Sequence, residues 1–402
     1  MSTCSTITVK VPINIALIKY WGKQNKDLII PLNDSISLTI NSLCAITKIT
    51  VDSNLKNDLV LINGQTINNP RFELVFNEIR KIIGTRKRNL NGELLNDYFK
   101  IESTTNFPVA AGLASSAAGF AAISFGLCSL FKIKNQKEII RLARIGSGSA
   151  CRSILGGFVH WKAGNNNEDD SECTCEQIKQ ISHWEELRVL VIIQSEESKK
   201  IGSTEAMQRS VLTSKLLKTR IEECVPKRIE NLKEAILTKN FSKLAEITMA
   251  ESNQLHAICL DTFPPIIYLN SISYSLMEFV HDFNYFYSKQ LIAYTFDAGP
   301  NCFLIFEEST FPLFYKQFKK CFNYKEDLLI NYDENECKEI KLAISSFKEE
   351  NGNLKKEIKE KNEENICNTK KLKFPWLEKR TINIKQLVLS KLGDEPKILE
   401  EN

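Results

Sequence analysis

The stretch FPVAAGLASSAA, residues 107–118, decides how this chain is read. Pro108 and Gly112 interrupt regular structure, and Ser115 and Ser116 then open an alanine-rich run that reads as a helix over 116–131. A helix start carries unpaired N–H groups and the positive end of the macrodipole. Small side chains let a polyphosphate approach the backbone, and serine hydroxyls add donors without bulk. The stretch contains neither a Walker GxxxxGK(S/T) pattern nor GxGxxG, which excludes the common P-loop and dinucleotide readings. On these residues alone, a tightly packed helix start with no ligand stands beside the phosphate-binding reading.

The surrounding composition narrows the class. With 43% hydrophobic residues in a chain of 402, there is core enough for one two-lobed unit or two domains. The 53 basic and 49 acidic residues are interleaved, so no polybasic face marks a nucleic-acid partner. No charged residue occurs from Phe107 to Phe131, a length that could cross a bilayer. The many Gly, Ser and Ala residues there predict instead a buried helix, in a soluble chain with no membrane partner. The 12 cysteines are scattered, and the start MSTCSTITVK has no charged-then-apolar signal, so free buried thiols in a reducing compartment are expected. The 4 histidines form no cluster, which argues against a His-ligated catalytic metal.

Working outward, 6–11 alternates like a strand that ends at Pro12, and 36–40 and 46–51 read as two strands separated by a turn near Asn41. The segment 68–83 reads as a helix with Pro70 in its first turn. A short strand at 99–102, a helix at 137–144 and a strand at 154–161 follow, then a polar loop at 164–176. The β-branched run 188–193 is the expected first strand of a second lobe. Helix is expected from 203 to 256, punctuated by Pro226. Strands at 292–296 and 302–306 are joined by Asp297-Ala-Gly-Pro-Asn301, a good hairpin turn. The Lys/Glu/Asn run 348–373 cannot bury a core and reads as a solvated insertion, after which 382–389 resumes strand.

The spacing Pro108-x3-Gly112-Leu113-x-Ser115-Ser116 resembles the nucleotide-phosphate loop of the GHMP kinase superfamily. Other segments narrow the resemblance to the diphosphomevalonate decarboxylase family. These are VPINIALIKYWGK (11–23), RIGSGSACRS (144–153), VPKR (225–228), LHA (255–257) with FPP (263–265), and YTFDAGPN (294–301). They run in family order and cover most of residues 5 to 306.

The resemblance implies an α+β fold of two lobes, a ribosomal protein S5 domain 2-like lobe over 1–186 and a ferredoxin-like lobe over 187–402. It implies ATP-dependent decarboxylation of 5-diphosphomevalonate to isopentenyl diphosphate, with ATP and Mg2+ as cofactors, in a cytoplasmic homodimer. Asp297 would orient or deprotonate the 3-hydroxyl, although as a turn residue it could merely close the hairpin. Arg152 would clamp an anionic group with paired donors, although an arginine beside Ser/Gly turns is often only a surface residue. Lys19 would support phosphoryl transfer or hold the active-site network, and Ser115 would take part in catalysis, facing ATP and its magnesium with Ser116. Tyr20, Lys23, Arg71, Ser147, Ser149 and Arg152 would hold the substrate, and Pro108, Gly112, Leu113, Ser115, Ser116 and Ser203 the nucleotide. No protein carboxylate is assigned to the metal, since Mg2+ commonly keeps waters and takes phosphate ligands. Gly202 and Ala206 depart from the family pattern, which usually has a serine and a glycine there, and 389–396 replaces a usual Gly/Pro-rich turn. Two alternatives remain at this point: a kinase of the same superfamily acting on mevalonate or phosphomevalonate, and a non-catalytic nucleotide-binding relative. The Arg152 segment and the Asp297 turn match the decarboxylating branch.

Overall fold

The computed structural model describes residues 4–52, 54–84, 98–107, 115–166, 168–197, 199–322, 329–330 and 384–402; the run 348–373 lies outside them. Strand β1 (Cys4–Ile18) buries Ile7, Val9, Val11, Ile13 and Ile15 by simple alternation. A small hairpin, β2 (Lys23–Asn25) and β3 (Ile30–Pro31), leads into β4 (Ser35–Asp52), the antiparallel partner of β1. Two expectations are corrected here. Pro12 does not end β1, and Asn41 does not split β4. Pro12 pairs with Cys44 while Ile13 pairs with Ile40, so 41–43 form a bulge in β4 and both strands continue. A bulge is where a strand tolerates proline.

Strands β5 (Leu59–Ile62) and β6 (Gln65–Thr66) precede helix α1 (Pro70–Gly84), which starts at its proline and buries Phe72, Val75, Phe76, Ile79 and Ile83 on one face. Strand β7 (Tyr98–Thr105) is longer than expected because it pairs with β4 along its whole length. Helix α2 (Ser115–Leu130) is the charge-free stretch. Ala117, Ala118, Ala121 and Ala122 are buried, and a Cβ on Gly126 would lie 2.5 Å from Ile49 Cδ1, so small residues set its close approach to β4. No helix among the described residues is long and apolar enough to cross a membrane. Helix α3 (Gln136–Gly146) leads into a 3-10 turn at Gly148–Ile154, so the strand expected from 154 begins only at β8 (Phe158–Trp161), which pairs with β9 (Cys175–Lys179).

The second sheet opens with β10 (Leu187–Ile193). Helices α4 (Ser203–Thr213), α5 (Lys215–Thr219), α6 (Val225–Leu237), α7 (Phe241–Asp261) and α8 (Ser271–Phe286) follow. Pro226 does not interrupt this region as expected; the breaks fall at Ser214 and at 238–240. A π turn at Arg220–Cys224 joins α5 to α6 just before the proline, widening the backbone where the ring would crowd the carbonyl of residue 222. Strands β11 (Ile292–Phe296) and β12 (Cys302–Glu307) form the expected hairpin, and α9 (Phe311–Cys321), β13 (Leu329–Ile330) and β14 (Gln386–Lys391) complete the unit. β14 starts later than expected, with 384–385 outside any strand.

The sheet order is β11-β12-β10-β14-β13 in the second lobe and β15-β1-β4-β7-β5-β6 in the first, where β8 also pairs with β4 and with β9. The last strand, β15 (Lys397–Glu401), thus crosses back to pair with β1. Its return passes Gly393, where a Cβ would sit 2.8 Å from the Ile40 carbonyl carbon. One continuous core runs through both sheets, from Ile7 to Leu392, so the lobes share an interior. A second cluster containing Trp21, Met207, Leu255, Tyr268 and Ala298 lies beside the crevice that separates them. Cys44, Cys128, Cys151, Cys173, Cys175, Cys259, Cys302 and Cys321 are buried, and Cys224 is half-buried.

Candidate active site

A cavity of about 310 Å3 opens between the lobes. Asn14, Lys19, Tyr20 and Lys23 reach it from β1 and its extension, Arg71 from α1, Ser116 from α2, and Ser147, Ser149 and Arg152 from the turn after α3. From the other lobe come Lys199, Ser203, Thr204 and Asp297. Of the residues expected from sequence, the structure therefore brings together Asp297, Arg152, Lys19, Tyr20, Lys23, Arg71, Ser147, Ser149, Ser116 and Ser203. Pro108, Gly112 and Leu113 lie outside the described residues, and of Ser115 only its backbone place, the first residue of α2, is described.

Asp297 follows directly on β11, in a turn pinned from two sides. The Asn301 side chain accepts from the backbone N–H groups of Gln194 and Ser195 at 2.8 and 3.1 Å, and Gln194 Nε2 and Ser273 Oγ both donate to the Pro300 carbonyl. Asp297 accepts from Lys19 Nζ at 2.5 Å. Lys19 is buried, which pushes its ammonium below the usual lysine range, while Asp297 pulls the other way. The pair thus presents a carboxylate and an ammonium to one cavity wall.

Arg152 is 3% exposed. Its Nε donates to Asn14 Oδ1 at 3.2 Å, its Nη1 donates to Ser35 Oγ at 2.8 Å, and its Cζ lies 5.7 Å from the Trp161 ring centroid. Among the described residues no carboxylate pairs with it. A buried guanidinium held by neutral groups is costly unless an anion arrives, which makes this an anion site. Asn14 also donates to the Ser149 carbonyl and to Ser153 Oγ, fastening the 3-10 turn to β1. A side chain at Gly148 would meet the Tyr20 ring at 2.9 Å, so glycine lets that ring close over the turn. Among the described residues the buried Tyr20 hydroxyl has no hydrogen-bond partner, and burial raises its pKa.

Cations line the opposite wall. Burial, then the Arg71 charge, pushes Lys23 down to about 8. Arg71 Nη2 donates to Thr204 Oγ1 at 2.5 Å across the lobes. Hydroxyl donors gather nearby: Ser116 Oγ lies 3.4 Å from Ser147 Oγ, and Ser203 begins α4, whose cap Gly202 supplies no side-chain bond. Space around Gly202 is open and Ala206 is fully buried in the second core cluster, so both departures from the family pattern fit without displacing Ser203. Among the described residues no group of three His, Cys, Asp or Glu side chains could hold a metal ion. Lys26, Lys199, Thr204 and Asn14 were missed by the sequence reading. Only Asn14 carried a signal, as the one amide in the otherwise apolar run PINIALI.

The Lys19–Asp297 pair and the buried Arg152 line one cavity, and comparison with known proteins decides the family. Residues 11–174 match the diphosphomevalonate decarboxylase-like N-terminal domain, and 189–399 match the mevalonate 5-diphosphate decarboxylase C-terminal domain. The chain belongs to the diphosphomevalonate decarboxylase family. It is 45% identical over 315 residues to the diphosphomevalonate decarboxylase of Danio rerio, covering 77% of this chain and 78% of that one. The mevalonate diphosphate decarboxylase structure from Trypanosoma brucei superposes with TM-score 0.83 at 32% identity, over 99% of this chain and 98% of its own. A chain called MDDEF, solved in complex with MVAPP, AMPPCP and magnesium, gives TM-score 0.72 at 27% identity, over 99% and 100% of the two chains. The two-lobed α+β architecture is thus that of the decarboxylase family, within the GHMP kinase fold.

Proposed function

We propose that this chain converts 5-diphosphomevalonate and ATP to isopentenyl diphosphate, ADP, phosphate and carbon dioxide. The observation that carries the reading is the shared cavity of Asp297, Lys19 and Arg152. Asp297 accepts the hydrogen bond of the tertiary 3-hydroxyl and takes its proton as the oxygen attacks the γ-phosphoryl group of ATP. Lys19 holds Asp297 by a hydrogen bond and offsets charge spreading onto the transferred group. Arg152 holds the substrate carboxylate, aided by Ser147 and Ser149. That transfer forms an O–P bond and expels ADP; the C3–O bond of the resulting phosphate ester then breaks, its electron pair leaving on phosphate. Electrons of the bond to the carboxylate form the alkene, and carbon dioxide departs.

Lys23, Arg71 and the Tyr20 hydroxyl grip the diphosphate, and the hydroxyls of Ser116 and Ser203 face the triphosphate. The unpartnered Tyr20 hydroxyl and the uncapped start of α4 are polar groups of the kind a phosphate completes. Mg2+ would be carried on nucleotide phosphates beside these serines and would neutralise phosphate charge. A cytoplasmic homodimer completes the proposal.

The test is substrate choice: ADP release should be rapid with diphosphomevalonate and negligible with mevalonate or phosphomevalonate. A preference for either shorter alcohol would make the chain a kinase. The cation wall adds a pH prediction. Lys23 is charged below about 8 and neutral above it, so KM for diphosphomevalonate should rise as pH passes that value. Lys23→Arg, which stays charged, should abolish the rise; an identical pH profile for KM would remove Lys23 from the diphosphate grip.

A further inference from the structure

Beneath the cavity lies a charged cluster that the proposed chemistry does not use. Glu251 on α7 and Arg220 at the start of the π turn are both 0% exposed. Arg220 Nη2 donates to Glu251 Oε2 at 2.7 Å, and Arg228 Nη1 makes a short bond to Glu251 Oε1. Arg228 also reaches Gln254 Oε1 at 2.6 Å. Glu251 and Arg220 both reach the Lys19 backbone, and Arg228 braces Glu251 from behind. The Lys19 N–H donates to Glu251 Oε2 at 3.1 Å, and the Lys19 carbonyl accepts from Arg220 Nη2 at 2.7 Å and from Asn33 Nδ2 at 3.0 Å. Arg220 Nη1 in turn fixes Asn33 Oδ1 at 2.9 Å.

We propose that Glu251, Arg220 and Arg228 are positioning residues that clamp the Lys19 backbone, so that its ammonium meets Asp297 and the transferred phosphoryl group. The proposal rests on the reading that Lys19 and Asp297 serve phosphoryl transfer. Lys19 lies just past the last residue of β1, where the ladder no longer fixes the backbone. A flexible four-carbon stem on a loose peptide would wander. Here both polar groups of that residue are held by buried ions. The π turn contributes directly, because it places Arg220 at the point where α5 gives way to α6. Burying the Arg220 guanidinium against the Glu251 carboxylate is costly for stability alone, and a positioning role accounts for the expense. The VPKR segment, which the chemistry leaves without a task, supplies Arg228.

The cluster also sets the charge around Lys19. Its ammonium faces Asp297 from the β11–β12 turn, Glu251 from α7 and Arg152 from the 3-10 turn. His256 on α7 and Cys302 on β12 also feel it, but burial holds His256 down to about 3 and the Cys302 thiol well up, so neither is charged near neutral pH. Glu251→Gln removes a negative charge and leaves Arg220 and Arg228 uncompensated, which disfavours the Lys19 ammonium. The alkaline limb of kcat should therefore move to lower pH.

The decisive variant is the double change Arg220→Met with Glu251→Met. Apolar replacement of a buried ion pair usually preserves folding, and the partly exposed Arg228 can turn to solvent. The full-length doublet should melt near the wild-type temperature and keep KM for ATP and diphosphomevalonate. Its kcat should fall about 100-fold, the scale of a catalytic group misplaced by an ångström. A stable doublet with wild-type kcat, or an unmoved alkaline limb in Glu251→Gln, would overturn the proposal and leave a structural cluster only. Should either variant fail to fold, Arg220→Lys decides, since it keeps the charge but puts its donors on one nitrogen, without the fork that reaches Asn33 from one arm and Glu251 and the Lys19 carbonyl from the other. Reduced kcat at an unaltered melting temperature supports the clamp, and unchanged kcat refutes it. Wild-type turnover tests the underlying reading separately.

Discussion

Asp297→Asn should lower kcat about 1,000-fold, within the range that a positioned general base contributes. The amide has the shape of the carboxylate, so the turn held by Gln194, Asn301 and Ser273 stays in place. What is lost is the ability to take a proton. Lys19, which Asp297 meets at 2.5 Å, also loses its counter-ion, and with burial already opposing its charge the ammonium is disfavoured further. Nucleotide binding should survive, because the serine donors lie elsewhere on the cavity wall. Steady-state ADP release and titration with a non-hydrolysable ATP analogue check both halves. A variant with a near-normal rate would show that another group activates the hydroxyl.

Arg152→Gln should be the second severe change, and it should separate activity from stability. Losing a preorganised charged donor from a buried site costs roughly 100- to 1,000-fold in kcat/KM. The substrate carboxylate would then enter a pocket without a counter-charge, and glutamine cannot offer the paired donors of a guanidinium. The unliganded protein, by contrast, should melt no lower than wild type. It is relieved of a buried cation that, among the described residues, neutral groups of Asn14 and Ser35 and the Trp161 face accommodate. Calorimetry with and without diphosphomevalonate should also find that ligand stabilisation shrinks in the variant. Large thermal destabilisation with intact kcat/KM would make Arg152 a structural residue.

Local chemistry made part of this legible from sequence. Pro70 marks a helix start, the Asp297–Asn301 segment forms the hairpin, and the small-residue run after Ser115 is a buried helix, because each depends on residues adjacent in the chain. Where partners are distant the reading failed. Pro12 and Asn41 look like stops until each is set against the other's strand, when both prove to be parts of one bulge. Pro226 looks like a break, yet a π turn absorbs it. That β15 returns to β1 depends on a contact between opposite ends of the chain.

The site divides the same way. Asp297, Arg152, Lys19, Tyr20, Lys23, Ser147 and Ser149 lay in motifs whose spacing could be matched, whereas Arg71 lay in none of them. Lys26 and Lys199 are lysines in polar segments that resemble any solvated loop. Glu251 and Arg220 sit in ordinary-looking helical sequence, and only folding shows both to be sealed from water around the Lys19 peptide.

The account stands on one cavity in which a hydroxyl is phosphorylated and the same molecule then loses its carboxyl group. The most direct measurement follows ADP, inorganic phosphate and carbon dioxide together from a single sample of purified chain, ATP and diphosphomevalonate. Equal molar yields of all three are predicted. ADP formed without phosphate or gas, accompanied by a stable phosphorylated acid, would contradict it.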